Sequence, residues 1–390
     1  MKKVGKLDSW KVERLGDVVD FQRGLTYAKK DEVDYSSNIV LRATNVDVNT
    51  NTLDFSELKY INEKIVVPKE RIIRKGSLII CTASGSKSHL GKVALIDGDY
   101  GYAFGGFMGQ ITPRQNLDSK FLFYSLTSDG YKKYIDELSD GVNINNLRFD
   151  DLANYEIPIP PLSEQQRIVS VLDEAFASIA QTKSNAELNL VNARELFSSV
   201  QNEIFTLVGK DWEGKRVDKI CENLDSQRIP VTKRDREEGK YPYYGASGIV
   251  DYVSEFIFDG DLLLISEDGA NLLARTYPIA FSISGKTWVN NHAHVLRFEK
   301  MTTQKFVEYY LNSIPLDDYV SGMAQPKLNQ AMMNSIVIPF PPLAEQRAIV
   351  GRLESLSAET GRLKEIYQSK INNIDELRKS ILAKAFRGEL

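Results

Sequence analysis

Pro158-Ile159-Pro160-Pro161-Leu162-Ser163-Glu164-Gln165 leads into Ile168, Val169 and Leu172. The chain repeats it 181 residues later as Pro339-Phe340-Pro341-Pro342-Leu343-Ala344-Glu345-Gln346, leading into Ile349, Val350 and Leu353. An element that recurs after nearly half of 390 residues constrains architecture before any single motif does. Behind the first copy, small or apolar residues fall at Ile168, Leu172, Ala175, Ile179, Thr182, Ala186, Ala193, Leu196 and Val200, with Asn189 the polar exception. Steps of four and three trace one narrow helical stripe, the pattern that pairs a helix with another helix. The second copy keeps that phase through Ile349, Leu353, Leu356, Thr360, Leu363, Tyr367, Ile374, Leu377 and Ile381, with Lys370 opposite Asn189. Proline ends whatever precedes each copy, Ser163 with Gln166 reads as a capping box, and Gly209 and Gly388 stand near the two stops. The spacing predicts long helices over 163–207 and 344–386, the first on the order of 65 Å.

Chain order then predicts topology. The first helix carries the chain away from one body, and the second needs a partner for its matching stripe, so an antiparallel coiled coil is expected, with pseudo-twofold symmetry and both termini near the first body. The fold class is α+β, with two globular mixed α/β domains separated by two long helices. The divisions expected are 1–157, a central helical region 158–209, 210–338, and a C-terminal helical region 339–390.

The two bodies echo each other. Trp10 and Arg14 correspond to Trp212 and Arg216, and Gly76-Ser77-Leu78-Ile79-Ile80 corresponds to Gly260-Asp261-Leu262-Leu263-Leu264. Phe121 and Tyr124 correspond to Phe306 and Tyr309, and Gly141 and Leu147 to Gly322 and Leu328. Strand-like runs over Ser77–Cys81, Leu262–Ile265 and Trp288–Leu296 alternate with Gly, Asn and Asp turns, and helical stretches follow near 121–134 and 306–311. A hydrophobic content of 42% suffices for two cores. Cys81 and Cys221 are the only cysteines, which argues against a disulfide framework or a cysteine metal cage. Without an apolar signal core or a membrane-length apolar run, a cytoplasmic protein is expected.

These features together resemble the specificity subunit of a type I restriction-modification system, in which two target recognition domains alternate with two long helical regions. The resemblance spans essentially the whole chain. It rests on the Pro-Pro-Leu-Ser-Glu-Gln-Gln and Pro-Pro-Leu-Ala-Glu-Gln-Arg helix openings and, in the second body, on Tyr241-Pro242-Tyr243-Tyr244-Gly245-Ala246-Ser247-Gly248, Ser266-Glu267-Asp268-Gly269-Ala270-Asn271-Leu272 and Gly285–His294. The first body departs from the Tyr-Pro-Tyr-Tyr pattern, carrying Arg23-Gly24-Leu25 and Leu41-Arg42-Ala43-Thr44-Asn45 instead, as expected if the bodies read different half-sites. The resemblance implies a non-catalytic subunit that holds double-stranded DNA with a bipartite target. Two methyltransferase subunits would dock on its helices, and restriction (motor and nuclease) subunits would join for cleavage. No cofactor is expected on this chain, with S-adenosylmethionine, ATP and Mg on the partners.

A net charge of −4 is not that of a typical DNA binder, so local charge carries the argument. Arg228, Lys233, Arg234, Arg236 and Lys240 precede the tyrosine cluster containing Tyr243 and Tyr244, with Ser247 beyond it; Lys286, Asn290, Asn291 and His292 form a second candidate group. In the first body Arg23, Arg42, Asn45, Ser84, Ser86, Lys87 and Lys92 are the candidates. Arg and Lys neutralise phosphates, hydroxyls position them, and Asn or Arg read base edges. The competing account is an ordinary solvated charge run. For partner docking, Val169, Phe176, Leu190, Phe197 and Ile204 make a second apolar stripe on the first helix, which either packs on the chain's own domains or receives methyltransferase helices.

Other signals point nowhere. Gly285-Lys286-Thr287 mimics a P-loop ending, but Ala280 stands where that motif needs Gly. His292 and His294, spaced to share a strand face, have only His89 and no nearby cysteine to complete a metal site. There is no Asn-Pro-Pro-Tyr of an adenine methyltransferase, and Glu57-Leu58-Lys59, Asp118-Ser119-Lys120 and Glu213-Gly214-Lys215 are triplets that chance supplies in a chain that is 26% charged. A self-contained restriction enzyme and a protein-binding scaffold are the alternatives to a DNA-specificity subunit.

Overall fold

The structure is a computed structural model that describes residues 10–85, 87–140, 146–207, 209, 211–322 and 325–390. It divides into two compact units, one of residues 1–185 with 370–390 and one of residues 186–369. Each long helix therefore contributes one half to each unit.

The two helices run over Leu162–Thr206 and Leu343–Phe386. Each starts one residue earlier than the spacing predicts, directly after Pro-Pro. Ser163 consequently lies inside the first turn rather than at a cap, and the amides of Glu164 and Gln165 bond to the carbonyl of Pro161 instead. The second helix ends as expected. Gly388 adopts a φ of 67°, and the amides of Gly388 and Glu389 return to the carbonyls of Ala385 and Lys384.

Within the first unit the helices are antiparallel: Arg167 meets the Leu390 carbonyl, Arg378 lies over the Phe176 ring, and Lys183 pairs with Asp375 at 2.7 Å. Within the second unit Phe205 shares a core with Val350 and Leu353. Ala186, Ala193, Thr360 and Ile374 are buried as the stripe requires. Leu196 and its repeat partner Leu377 are not, at 46% and 50% exposure, and Thr182 and its partner Leu363 are exposed as well. The expected stripe is thus too regular: the same two positions leave the seam in both copies.

The bodies repeat one main sheet, whereas their second sheets have four strands and three. In the first, a four-stranded antiparallel sheet has the spatial order Val19–Arg23, Met108–Pro113, Leu78–Cys81, Val93–Leu95; in the second the order is Glu222–Asn223, Ala293–Arg297, Leu262–Ser266, Ala280–Ile283. Leu78–Cys81 and Leu262–Ser266 are buried throughout, which explains their unbroken apolar runs. A second small sheet in each body contains one parallel pair, Asn38–Leu41 with Ala103–Phe104 and Glu238–Gly245 with Trp288–Val289. The run expected over 288–296 is two strands broken by a turn at 290–292.

Each body closes on its helix through the proline strand. Lys11–Arg14 pairs with Glu156–Ile159, and Glu213–Arg216 with Val337–Phe340, which is why Trp10-to-Arg14 and Trp212-to-Arg216 repeat. The glutamine of each Pro-Pro-Leu-x-Glu-Gln opening is buried: Gln165 bonds to the carbonyls of Pro160 and Asn116 and receives the Asp118 amide, whereas Gln346 bonds to the Pro341 carbonyl and receives the Thr303 hydroxyl.

Candidate nucleic-acid interface

A central strand with neighbours antiparallel on both sides delivers loops to one sheet edge. In the second unit Ser266 ends its strand opposite Ala293, and four segments gather there. The Ser266 hydroxyl bonds to the Ala246 carbonyl at 2.6 Å, and the Asn290 amide to the Tyr244 carbonyl at 3.0 Å. Glu267 donates its amide to the His292 carbonyl at 2.9 Å and accepts the Leu328 amide at 2.8 Å. The Asn271 side chain bonds to Thr276 and Tyr277, fixing the loop that follows.

Beneath this edge lies a charged network. Asp225 accepts the Val295 amide at 2.8 Å, and its other oxygen lies 2.6 Å from His294 Nδ1, while His294 Nε2 donates to the Leu328 carbonyl. Arg228 bonds to Glu267 at 2.7 Å and to the Ala293 carbonyl, and Lys327 meets the other Glu267 oxygen at 3.2 Å. Burial opposes ionisation of Asp225. The His294 hydrogen bond and charge, the Val295 amide and Arg228 outweigh it and hold its carboxyl below the ordinary value. Glu267 is likewise lowered, burial being outweighed by Arg228, His294 and Lys327.

The first unit builds the same edge. Cys81 ends its strand opposite Met108, the Thr82 amide donates to the Phe107 carbonyl at 2.9 Å, and Thr82 accepts the Leu147 amide. Ala83 bridges Asn146 as Asp268 bridges Lys327. Gly24 is required here, because a Cβ would fall 1.9 Å from the Gly105 carbonyl oxygen.

The expected DNA-binding residues separate into three groups. Lys233, Arg234, Lys240, Ser247, Lys286, Asn291, His292 and Arg23 are exposed. Several of these rest on neighbours: Lys286 lies over Phe256, Arg23 over Phe149, and His292 beside Asp268 at 2.8 Å.

In a second group Tyr243, Asn45 and Asn290 are buried, and Arg228, Arg236 and Lys92 are half-buried and tied to neighbours within the body. Tyr243 is 1% exposed, with its hydroxyl engaged to Val231, and Arg228 is held in the charged network. Asn45 is buried and ties Arg42, Asp54 and Glu57 together; Asn290 is buried and caps the His292 amide. Arg236 is engaged by Asp251 and the Tyr243 ring, and Lys92 by the Val48 carbonyl, burial lowering the Lys92 pKa, with Lys132 adding to it. Each stands in a polar stretch and is engaged by backbone or carboxylate partners, so part of its polar capacity is spent on shaping the body. In the third group Tyr244 is half-buried against Phe281, Arg42 half-buried beside Glu57, and Ser84 half-buried. Ser86 and the side chain of Lys87 lie outside the described residues, as does Gly141 of the repeat.

His292 precedes its strand and is exposed, whereas His294 is buried, so the two do not share a metal-facing surface. Among the described residues no three His, Cys, Asp or Glu side chains are grouped to hold a metal ion. No helix among them is long and apolar enough to cross a membrane.

The stripe assigned to partner docking is corrected. Val169 is in the first unit's core and Phe176 packs on Tyr124, while Phe197 and Ile204 pack on the second unit's core, Phe197 facing Tyr309. Leu190 is half-buried. The exposed large apolar side chains on the helices are instead Leu162, Val171 and Leu377 in the first unit and Leu188, Val191, Leu196, Leu363 and Ile366 in the second. Asp225, Glu267, Phe107 and the two glutamines that latch the helix starts, Gln165 and Gln346, were not singled out from sequence; Glu267 stood in a quoted motif and the glutamines in the repeat, whereas Asp225 and Phe107 carried no signal.

A duplicated α/β body whose strand ends present polar and basic loops, carried on two repeat-related helices, is the class this geometry defines. The family described as Type I restriction modification DNA specificity domain matches residues 8–190 and again 209–372, and the chain belongs to that family. The StySPI specificity subunit of Salmonella potsdam is 26% identical over 438 aligned positions, covering 99% of this chain and 90% of that one. A Haemophilus influenzae relative, also named as a type I restriction enzyme specificity subunit, is 34% identical over 193 residues, 45% of this chain and 50% of its own. A chain from a solved type I R-M system shares the fold, with a TM-score of 0.77, 20% identity and 98% coverage of both chains.

Proposed function

We propose that this chain is the non-catalytic recognition subunit of a cytoplasmic type I complex, and that its two bodies read the two halves of a bipartite double-stranded DNA target. The observation that carries this is the duplicated loop edge: one hydrogen-bonded scaffold, built twice, presents different side chains in each copy. Equal scaffolds with unequal faces suit two unlike half-sites. Lys233, Arg234, Lys240 and Lys286 serve as phosphate contacts, and Ser247, Asn291 and His292, on turns, with Arg23, at the end of its strand, meet the grooves. Two methyltransferase subunits dock on the exposed apolar helix positions, supplying S-adenosylmethionine and the methylating site. Motor and nuclease subunits bring ATP and Mg for restriction. The length of the helices governs the unspecified gap between half-sites.

Methylome sequencing of cells carrying this chain with its methyltransferase partner tests the reading. A split motif methylated on both halves is expected; methylation of a single continuous motif, or none that depends on this chain, would refute it.

A further inference from the structure

Phe107 is 73% exposed, yet its backbone is tied to neighbouring segments by several hydrogen bonds. It lies in a tight turn closed by the Met108 amide on the Gly105 carbonyl, and its own carbonyl accepts the amides of Thr82 and Ala83 and the Thr82 hydroxyl. Leu25 clamps the other side, donating its amide to the Phe104 carbonyl and bridging Gly105. A large side chain displayed on a backbone tied down by hydrogen bonds on both sides leaves little ordering to be done when a partner binds.

Its place in the repeat identifies the partner. The sheet register matches Cys81 and Met108 with Ser266 and Ala293, and Leu78 with Leu263, one residue beyond the correspondence read from sequence. In that register the bond from the Thr82 amide to the Phe107 carbonyl is repeated, at the same 2.9 Å, from the Glu267 amide to the His292 carbonyl. The flanking bridges Ala83 to Asn146 and Asp268 to Lys327 repeat as well. Phe107 and His292 are thus the same position in the two bodies, occupied by an apolar ring in one and a hydrogen-bonding ring in the other. Resting on the DNA-recognition reading, we propose that this position determines specificity in each half-site, and that Phe107 reads a thymine by contact with its 5-methyl group. Phenylalanine can neither donate nor accept a hydrogen bond, and in the major groove the thymine methyl is the feature such a side chain distinguishes. His292, oriented by Asp268 at 2.8 Å, reads its half-site through a ring nitrogen.

The test selects duplexes from a pool randomised in both half-sites, using the full chain assembled with its methyltransferase partner. Phe107→Ala is expected to lose preference for thymine at one base pair of one half-site, with about tenfold weaker binding to the original target, while the other half-site and the melting temperature are unchanged. His292→Ala is expected to relax one position in the opposite half. Replacing the thymine by deoxyuridine, which removes only the methyl group, should weaken wild-type binding and leave Phe107→Ala indifferent. If Phe107→Ala enriches the wild-type motif with wild-type affinity, or deoxyuridine costs wild type nothing, the assignment of Phe107 is overturned while the recognition reading stands. A wild-type complex that enriches no motif overturns both.

Discussion

The ring of Phe386, at the end of the second helix, lies 5.2 Å from that of Phe121 in the first body. The relation is repeated by the residue 181 positions earlier: Phe205, at the end of the first helix, lies 5.5 Å from Phe306 in the second body. Each body thus grips the C-terminal end of one helix while the other helix starts from its proline strand. Sequence duplication and antiparallel pairing meet in these two contacts.

Phe205 is 8% exposed, so Phe205→Ala leaves a cavity and should cost about 3 kcal/mol, read as a shift in the urea midpoint with an unchanged slope. A loss below about 0.5 kcal/mol would mean that the helix end does not hold the second body together.

The latch glutamines make a polar prediction. Gln165→Leu strands the Asp118 amide and two carbonyls and should cost about 2 kcal/mol. Gln165→Glu should be nearly as damaging, because the Nε2 donor to both carbonyls is gone. Equal stability of wild type and Gln165→Leu in chemical denaturation would remove the latch from the account.

Acid should act on the second unit through Asp225 and Glu267. Both carboxyls are lowered in the folded state, so the unfolded chain binds protons first as pH falls. Their contribution is complete above the ordinary carboxylate range, about pH 4, and drains away as pH falls through the folded-state values. Asp225→Asn should cost about 3 kcal/mol near neutrality and flatten the acid limb of a stability-versus-pH curve. An acid limb as steep as that of wild type would assign the effect to other carboxylates.

Phe197→Glu should destabilise the second unit itself, since Phe197 packs on that unit's core. Leu196→Glu should leave folding intact and, under the proposed function, weaken methyltransferase assembly, measured by sedimentation of the mixed subunits. Intact assembly with Leu196→Glu would clear that position from the docking surface.

Arg234 is exposed on a short turn of helix. Arg234→Ala should weaken DNA binding to all sequences alike and lower the salt slope by about 1. An unchanged slope would remove Arg234 from the phosphate footprint.

The repeat of Pro158–Gln165 at Pro339–Gln346, the phase of the two helices, the Gly388 stop and the buried strands Leu78–Cys81 and Leu262–Ser266 were legible in the linear chain. All of them are local: periodicity, proline, glycine and apolar runs act on residues a few positions away. The candidate interface was legible only in part. Arg234 and Arg228 look alike in sequence, yet one is solvated and the other is held by Glu267 and the Ala293 carbonyl. Tyr243 and Phe107 are reversed in the same way, the tyrosine buried and the phenylalanine displayed. Whether a polar or aromatic side chain faces water depends on partners tens of residues distant, and only the closing of strands and loops upon one another supplies them.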